Sequence, residues 1–275
     1  LMTDYQMLVL DIDDTLMTSK NTISDATYQA LMRAQEQGKK VVLASGRPTP
    51  SMIETAKQLK LDHFDSYIIS FNGAAITSMA DGQELFSQRL EADAQDDIVQ
   101  YIQAKGLTVL TYIDEYVVMD KSNDYSQIES QLTGIPDRYD PEAIANLSQL
   151  AKSRMKFIGV GDPDLVTAAD AELKGRFGDL TYATTSKPYF LEFVHHQVSK
   201  GQAIKVLCQH LGLTLDQVIA CGDGNNDLTM IETAGLGVAM ANATPLLKEA
   251  ADHITLSNDQ DGLVPIIRDF MGVSL

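Results

Sequence analysis

Residues 7–15 read MLVLDIDDT, an apolar run that ends abruptly in a group of aspartates. Four consecutive apolar residues predict a strand that is buried on both faces, as in the interior of a parallel sheet. Asp11 and Asp13 follow this strand and are two residues apart, so a slight bend can aim both carboxylates at one site. An acidic turn or helix cap uses the same residue types, and the motif alone leaves that alternative open.

Helices and further strands alternate on both sides of this stretch. Helices are predicted at about residues 25–37, 51–59, 201–211 and 228–234, and strands at 41–44, 67–70 and 218–221. This alternation is typical of an α/β fold, a Rossmann-like, doubly wound parallel sheet between two layers of helices. Ligands of such sheets bind beyond the carboxyl ends of the strands. Because Asp11, Ser45 and Asn72 each follow a predicted strand, we expect a functional site at that edge.

The middle of the chain has a different pattern. Segments with a period of two, such as LTVLTYID and MKFIGVG, alternate with helical stretches near residues 94–104, 141–150 and 164–177. Hairpins mixed with helices indicate an α+β unit inserted into the α/β core. We therefore expect a core made of residues 1–82 and 191–275, and an insert made of residues 83–190.

A second acidic cluster, GDGNND at residues 222–227, follows the apolar run VIAC. Its glycines allow the backbone to approach a ligand closely, although a simple turn has the same composition. Asp11 and Asp223 end two separate strands and so converge on one edge of the sheet. Oxygen ligands without a nearby cysteine or histidine favour a hard cation, and Mg²⁺ is the cofactor expected here.

Two further features point to an anion. Ser45 and Gly46 begin the sequence SGR, where a hydroxyl and backbone N–H groups near a helix N-terminus could hold a phosphate; a simple helix cap is the alternative. Lys200 begins a helix, where a cation opposes the helix dipole, and such a residue indicates a function unless it is merely solvated. A nucleophilic Asp, a second Asp, a hydroxyl, a Lys and metal-binding carboxylates are the groups that phosphoryl transfer requires.

The order of these motifs resembles that of the haloacid dehalogenase superfamily. Its members have DxDxT, then a strand ending in S/T-G-R, then Lys, then GDxxND, and this chain has DIDDT, SGR, Lys200 and GDGNND. The insert between FNGA and VSKG is similar to the α+β, C2-type cap of the Cof-type, sugar-phosphatase-like branch, subfamily IIB. The resemblance extends over essentially the whole chain.

The resemblance implies a role for each matching residue. Asp11 is the nucleophile and a metal ligand, Asp13 is the general acid/base and binds the metal through its backbone carbonyl, Asp223 completes the metal site, Asp227 orients the metal shell and Lys200, and the phosphate- or substrate-binding residues are Ser45, Gly46, Asn72, Lys200 and Asn226. The implied activity is Mg²⁺-dependent hydrolysis of small phosphomonoesters, such as sugar phosphates or phosphorylated cofactors, through a phosphoaspartate on Asp11. A phosphomutase that uses the same phosphoaspartate and a non-catalytic phosphate-binding module are the alternatives.

Composition limits the partners. The chain has 275 residues, with 21 Lys and Arg against 38 Asp and Glu, and a formal net charge of −17. Such a surface repels nucleic acid and anionic lipid, so neither is expected as a partner, and the expected partner is a small phosphate ester. No apolar run approaches the ~18 residues of a membrane span, and the first residues do not resemble a signal peptide. A cytoplasmic monomer or homodimer is expected.

Overall fold

The computed structural model describes residues 3–275, and the chain divides into two compact units. The first unit runs through Phe86 and resumes at Ser199–Leu275, and the second is Ser87–Val198. No helix within residues 3–275 has the length and apolar character needed to cross a membrane. Cys208 and Cys221 are buried free thiols, as their apolar surroundings in the sequence indicate.

The elements are numbered in chain order. The strands are β1 (Met7–Leu10), β2 (Lys40–Ala44), β3 (Tyr67–Ser70), β4 (Ala75–Ser78), β5 (Glu84–Ser87), β6 (Thr108–Ile113), β7 (Tyr116–Met119), β8 (Asp137–Tyr139), β9 (Lys156–Val160), β10 (Arg176–Phe177), β11 (Thr181–Lys187), β12 (Phe190–His195), β13 (Val218–Gly222), β14 (Leu236–Ala239) and β15 (His253–Ile254). The helices are α1 (Asp25–Glu36), α2 (Ile53–Gln58), α3 (Ala94–Ala104), α4 (Ile128–Thr133), α5 (Pro141–Ala145), α6 (Pro163–Leu173), α7 (Lys200–Leu211), α8 (Leu228–Thr233), α9 (Pro245–Ala250) and α10 (Leu263–Pro265).

The first unit is built on a sheet centred on β1. Among the described residues this sheet has eight strands in the order β15-β14-β13-β1-β2-β3-β4-β5. From β15 to β3 the neighbouring strands are parallel, and β4 returns antiparallel to β3. Met7 of β1 lies opposite Val218 on one side and Lys40 on the other. The carboxyl ends of β13, β1 and β2 are therefore side by side.

Alternate residues of β1 enter two separate hydrophobic cores. Leu8 and Leu10 belong to the core that contains residues of α1 and α10, whereas Met7 and Val9 belong to the core that contains residues of α7 and α8. Each side of the sheet is thus covered by helices, which explains why its strands read as unbroken apolar runs. The α/β, doubly wound class predicted from the sequence is confirmed.

The second unit has its own sheet, with seven strands among the described residues in the order β10-β11-β12-β9-β6-β7-β8. All neighbours are antiparallel except β7 and β8. One face carries the larger core, in which Ile98 of α3 and Val166 of α6 lie with Phe157 and Phe193. A smaller cluster on other strand positions includes Ile158. This mixture of antiparallel strands and helices has the α+β character expected for the insert.

The junctions between the units lie later in the chain than the sequence pattern indicated. The expected boundary at residue 190 is wrong because β12 pairs with β9 and β11 of the second unit, and the chain returns to the first unit only at Ser199. The boundary at residue 83 is also too early, since β5 is the last strand of the first unit's sheet. The boundary at residue 83 was missed because β5, with the sequence ELFS, is only partly buried and lacks the apolar run of the other core strands. The boundary at residue 190 was missed because the sequence of β12 does not show which sheet the strand joins.

Three helices are shorter than predicted. The helix expected over residues 164–177 ends at Leu173, because Lys174 and Gly175 have φ of +52° and +84°, and the chain continues into β10. The helix expected over 51–59 begins only at Ile53, after a 3₁₀ turn. Ser45 precedes the first helical residue, Thr49, by four positions, so an anion site between Ser45 and this helical stretch stays a prediction. The stretch 141–150 likewise contains only the short helix α5 and a 3₁₀ turn.

Candidate active site

Asp11 stands at the carboxyl end of the central strand β1. Its N–H donates to the Cys221 carbonyl of β13 at 3.1 Å, which continues the ladder one residue beyond the strand. The chain then turns through residues 12–16, where Asp14 has φ of +60°. The Asp11 carbonyl accepts the N–H of Leu16 at 3.2 Å and so closes the turn. Asp11 is only 7% exposed, so its carboxylate is held at the inner end of the acidic loop.

Lys200 connects this carboxylate to the second acidic loop. It is the first residue of α7, where the Ser199 side chain accepts the Gln202 N–H as the N-cap. Its ammonium group donates to Asp11 Oδ1 at 3.0 Å, to the Ala44 carbonyl at 2.9 Å and to Asp227 Oδ1 at 2.6 Å. Lys200 is 1% exposed, so the cation at a helix N-terminus is buried between carboxylates rather than solvated.

The pKa of Lys200 reflects that position. Burial on its own lowers the pKa of this ammonium group, but the charges of Asp11 and Asp227 and its hydrogen bonds to both raise the pKa well above its ordinary value. Lys200 is therefore charged at neutral pH. A buried lysine in an apolar site would behave in the opposite way.

Asp227 holds the second acidic loop in place. It is fully buried, and its Oδ2 accepts the N–H groups of Asp223 at 2.9 Å and Gly224 at 3.1 Å. Gly222 makes this contact possible, because a Cβ at that position would lie 2.5 Å from Asp227 Oδ2. With one oxygen on Lys200 and the other on the loop, Asp227 is suited to supporting a site rather than binding a ligand directly.

Asp11, Asp223 and Asp227 form one cluster, and one carboxylate oxygen from each lies within 4.8 Å of the others. The Thr15 hydroxyl donates to Asp223 Oδ1 at 2.8 Å and orients that carboxylate. Burial raises the pKa of Asp11 well above its usual range, with Lys200 opposing and Asp227 and Asp223 adding to the shift. Burial is also the main cause that raises the pKa of Asp223.

This cluster fits a hard divalent cation. Its donors are all oxygens, and three carboxylates share one ammonium group, while burial is the main cause that raises the pKa of Asp11 and Asp223. Oxygen ligands of this kind suit Mg²⁺. Since both oxygens of Asp227 are already engaged, Asp11 and Asp223 are the carboxylates best able to hold the ion.

Ser45, Gly46, Asn72 and Asn226 lie together at the ends of β2 and β3 and in the second acidic loop. The carbonyl of Ser45 accepts the Asn72 N–H at 3.0 Å, and the Asn226 amide donates to Asn72 Oδ1 at 3.0 Å. A Cβ at Gly46 would lie 3.1 Å from the Asn72 side chain. Ser45 Oγ accepts the Arg47 N–H at 3.0 Å, so its own O–H group remains a donor for an anion.

Asp13 is held differently from the other aspartates. Its carboxylate takes two hydrogen bonds from Arg47, with Nε–Oδ2 of 3.0 Å and Nη2–Oδ1 of 2.5 Å. Neither Arg47 nor Thr15 was assigned a role from the sequence alone. Both stand inside the quoted motifs, SGR and DIDDT, but only the folded chain shows which carboxylate each one contacts.

Comparison with known protein families shows which family this fold belongs to. The model of the haloacid dehalogenase-like hydrolases matches residues 8–267. The chain belongs to this family. A protein of Streptococcus pyogenes serotype M6, provisionally named as a phosphatase, is 33% identical over 269 residues, which cover 97% of this chain and 98% of that protein.

Two further proteins that are similar to this chain agree with that assignment. The Bacillus subtilis 5-amino-6-(5-phospho-D-ribitylamino)uracil phosphatase YcsE is 28% identical over 268 residues, with coverage of 98% and 96%. The crystal structure of a haloacid dehalogenase-like hydrolase from Bacteroides thetaiotaomicron has a TM-score of 0.88 and 36% identity, and covers 96% of this chain and 98% of its own. The protein is therefore a phosphatase of the haloacid dehalogenase superfamily, as the motif order predicted.

Proposed function

We propose that the protein hydrolyses small phosphomonoesters in a Mg²⁺-dependent reaction that passes through a phosphoaspartate on Asp11. The observation that carries this proposal is the position of the Asp11 carboxylate. It lies at the end of the central strand, 3.0 Å from the ammonium group of Lys200 and within reach of the Asp223 carboxylate. A carboxylate nucleophile, a fixed cation and a metal-binding partner therefore meet at one point.

In the first step, an Asp11 oxygen attacks phosphorus while the P–O bond of the ester breaks. The leaving oxygen takes a proton from Asp13, which becomes a carboxylate. Asp11, Asp223 and the backbone carbonyl of Asp13 would hold Mg²⁺, which when bound offsets the repulsion between carboxylate and phosphate. In the second step, water attacks the phosphoaspartate, Asp13 takes a proton from that water, and phosphate leaves as the Asp11 carboxylate is restored.

Lys200 and Ser45 hold the phosphoryl oxygens in this scheme, with Gly46, Asn72 and Asn226 beside them. An ammonium group has three donors, and Lys200 uses all three within the protein. It reaches a phosphoryl oxygen by exchanging its bond to Asp11, which is the partner that turns toward phosphorus. The ammonium charge then neutralises the phosphoryl group while the Asp11 carboxylate loses its negative charge in bonding to phosphorus.

Asp11→Asn tests the nucleophile. The amide keeps the shape of the carboxylate but loses its charge and its nucleophilicity. Because the two-step reaction depends on this nucleophile, we expect the rate of phosphate release to fall by at least about 10³-fold. The measurement is phosphate release across a panel of sugar phosphates and phosphorylated cofactors. When the phosphate of the substrate is labelled and the reaction is quenched in acid during turnover, the wild-type protein should carry a labelled phosphoryl group, and Asp11→Asn should carry none.

A normal circular dichroism spectrum and melting curve for Asp11→Asn will show that its loss of activity is not a loss of fold. Multiple turnovers near the wild-type rate would contradict the role of Asp11. Counting free phosphate against dephosphorylated product separates hydrolysis from transfer to a sugar hydroxyl, because transfer releases product without phosphate.

Metal replacement tests the cofactor. We expect activity to vanish in chelator, to return with Mg²⁺, and to be inhibited by Ca²⁺. Ca²⁺ prefers 6–8 ligands at longer distances and tolerates bidentate carboxylates, so it would engage the Asp11 oxygen needed for attack. Full activity in chelator, or equal rates with the two ions, would contradict this part of the proposal.

A further inference from the structure

We propose that Arg47 is a positioning residue for Asp13, holding its carboxylate by two hydrogen bonds in the orientation that proton transfer requires. This inference rests on the proposed acid/base role of Asp13. It adds a residue that the reaction scheme above does not use. Arg47 lies just beyond β2 and Asp13 just beyond β1, so their contact joins the ends of two neighbouring parallel strands.

The Arg47 side chain starts from a backbone that is fixed on both sides. Its N–H donates to Ser45 Oγ at 3.0 Å, and its carbonyl accepts the N–H of Phe71 at 2.9 Å. From this base the guanidinium group reaches both carboxylate oxygens of Asp13, one through Nε and one through Nη2. A planar donor pair that meets both oxygens fixes direction as well as distance.

Stability alone does not account for this pair. The side chains of Arg47 and Asp13 are 26% and 50% exposed, and ion pairs in such positions contribute only about 0–1 kcal/mol. Orientation is a different matter, because Asp13 lies in an irregular turn and is half exposed. Without Arg47 its carboxylate would sample several rotamers, while proton transfer needs an approach of about 2.6–3.2 Å.

The two cations of the site are divided between the aspartates. Lys200 contacts Asp11 and Asp227, and Arg47 contacts Asp13. The group that attacks phosphorus and the group that moves protons are thus held independently. Arg47 contacts the carboxylate form of Asp13, which is the form that exists after the leaving oxygen has taken its proton and before water gives one back.

Leaving-group dependence tests this inference. Arg47→Gln should lower kcat/KM for the best alkyl phosphate of the panel by about 10–100-fold, which is part of the 10²–10⁴ that a positioned acid contributes. For 4-nitrophenyl phosphate the loss should stay below about threefold, because nitrophenolate leaves without being protonated. Arg47→Lys keeps the charge but not the two-point contact, so its alkyl rate should lie between those of wild type and Arg47→Gln.

A double-mutant cycle with Asp13→Asn isolates the coupling. If Arg47 acts through Asp13, adding Arg47→Gln to Asp13→Asn should change the alkyl rate by less than about threefold, since the group that Arg47 positions is already gone. Arg268→Gln is the matched control, because Arg268 makes the same two contacts with Asp269, at 2.8 and 3.0 Å. It should leave both rates unchanged.

The remaining outcomes separate this inference from the proposed function. Equal losses on both esters that persist in the Asp13→Asn background would mean that Arg47 serves the phosphate or the fold, and would overturn the inference. If Asp13→Asn lost more activity on the alkyl ester than on 4-nitrophenyl phosphate, while Arg47→Gln showed no such difference, only the role of Arg47 would be overturned. No leaving-group dependence in Asp13→Asn would overturn the acid role of Asp13, and the inference with it.

Discussion

At the scale of single residues, charge burial decides what each site group can do. Lys200 is buried as a cation only because Asp11 and Asp227 accept its hydrogen bonds. The same burial works against the carboxylates, whose pKa values are raised. One ammonium group therefore balances only part of the negative charge. The protein without metal should gain stability when one of these charges is removed.

Asp223→Asn should raise the melting temperature in chelator at pH 7. The pKa of Asp223 is raised mainly by burial, so the folded state binds this proton more tightly than the unfolded state. The stability contribution of Asp223 therefore falls as pH rises from its unfolded pKa of about 3.9 through its raised folded pKa. The variant should show a shallower decline of stability with pH, because Asn carries no charge.

Thermal unfolding in chelator from about pH 4 to pH 8, which begins near the unfolded pKa, measures both effects. With Mg²⁺ present the order should reverse, because Asn is a poorer ligand and binding energy adds to the stability of the folded state. A lower melting temperature than wild type in chelator, with an unchanged pH slope, would show that the charge of Asp223 does not oppose folding.

At the scale of elements, the turn between β3 and β4 governs how close α7 can come to the site. Phe71, Asn72 and Gly73 all have positive φ, the last at +105°. A Cβ at Gly73 would lie 2.0 Å from the carbonyl oxygen of Ser199, the residue that caps α7 and precedes Lys200. The turn and the helix start are therefore packed backbone against backbone.

Gly73→Ala should lower both stability and activity. A positive φ costs an alanine about 1–2 kcal/mol, and the clash with rigid backbone should add about 1–3 kcal/mol while displacing Lys200. Gly38→Ala is the control, since Gly38 has φ of +86° but nothing within 4 Å of its Cβ position. Denaturant unfolding and kcat/KM should show a loss of stability in both variants and a loss of activity in Gly73→Ala alone. Equal effects would mean that only backbone strain matters.

Elements with strong local signals could be predicted from the sequence. The apolar run of β1 and the helix α1, whose cap Ser24 accepts the Thr27 N–H, were found in the expected places. The start of α2 was not, because a 3₁₀ turn and an α-helix share the same residue types near Pro48. For the site, motif order identified the residues, whereas contacts such as Arg47 with Asp13 depend on which strands become neighbours.

At the scale of the whole molecule, we propose that the inserted unit, Ser87–Val198, is a cap that sets substrate choice. Groups that bind only phosphate cannot distinguish one ester from another, so selectivity needs further contacts to the leaving group. Exchanging Ser87–Val198 for the insert of a relative with known preference should transfer the ranking of kcat/KM across the ester panel. A parallel exchange at residues 83 and 190 should fold poorly, because it would divide β12 from β9.

If the rankings remained with the first unit after the exchange at Ser87 and Val198, the insert would not set substrate choice. Retained activity toward 4-nitrophenyl phosphate would show that the chimera has a working site, so that an unchanged ranking could not be ascribed to misfolding.

The pairing of β1 with β13 also has a consequence for how the chain folds. Met7 is hydrogen-bonded into a ladder with Val218, and the whole of the inserted unit lies between them in the sequence. During synthesis on the ribosome, β1 therefore cannot pair with β13 until most of the chain has been made. The inserted unit is continuous in sequence and can fold as soon as it emerges. Contacts so distant in sequence are slow to form. The site that they create, with Asp11 just after one strand and Asp223 just after the other, should be the last part of the molecule to form during refolding.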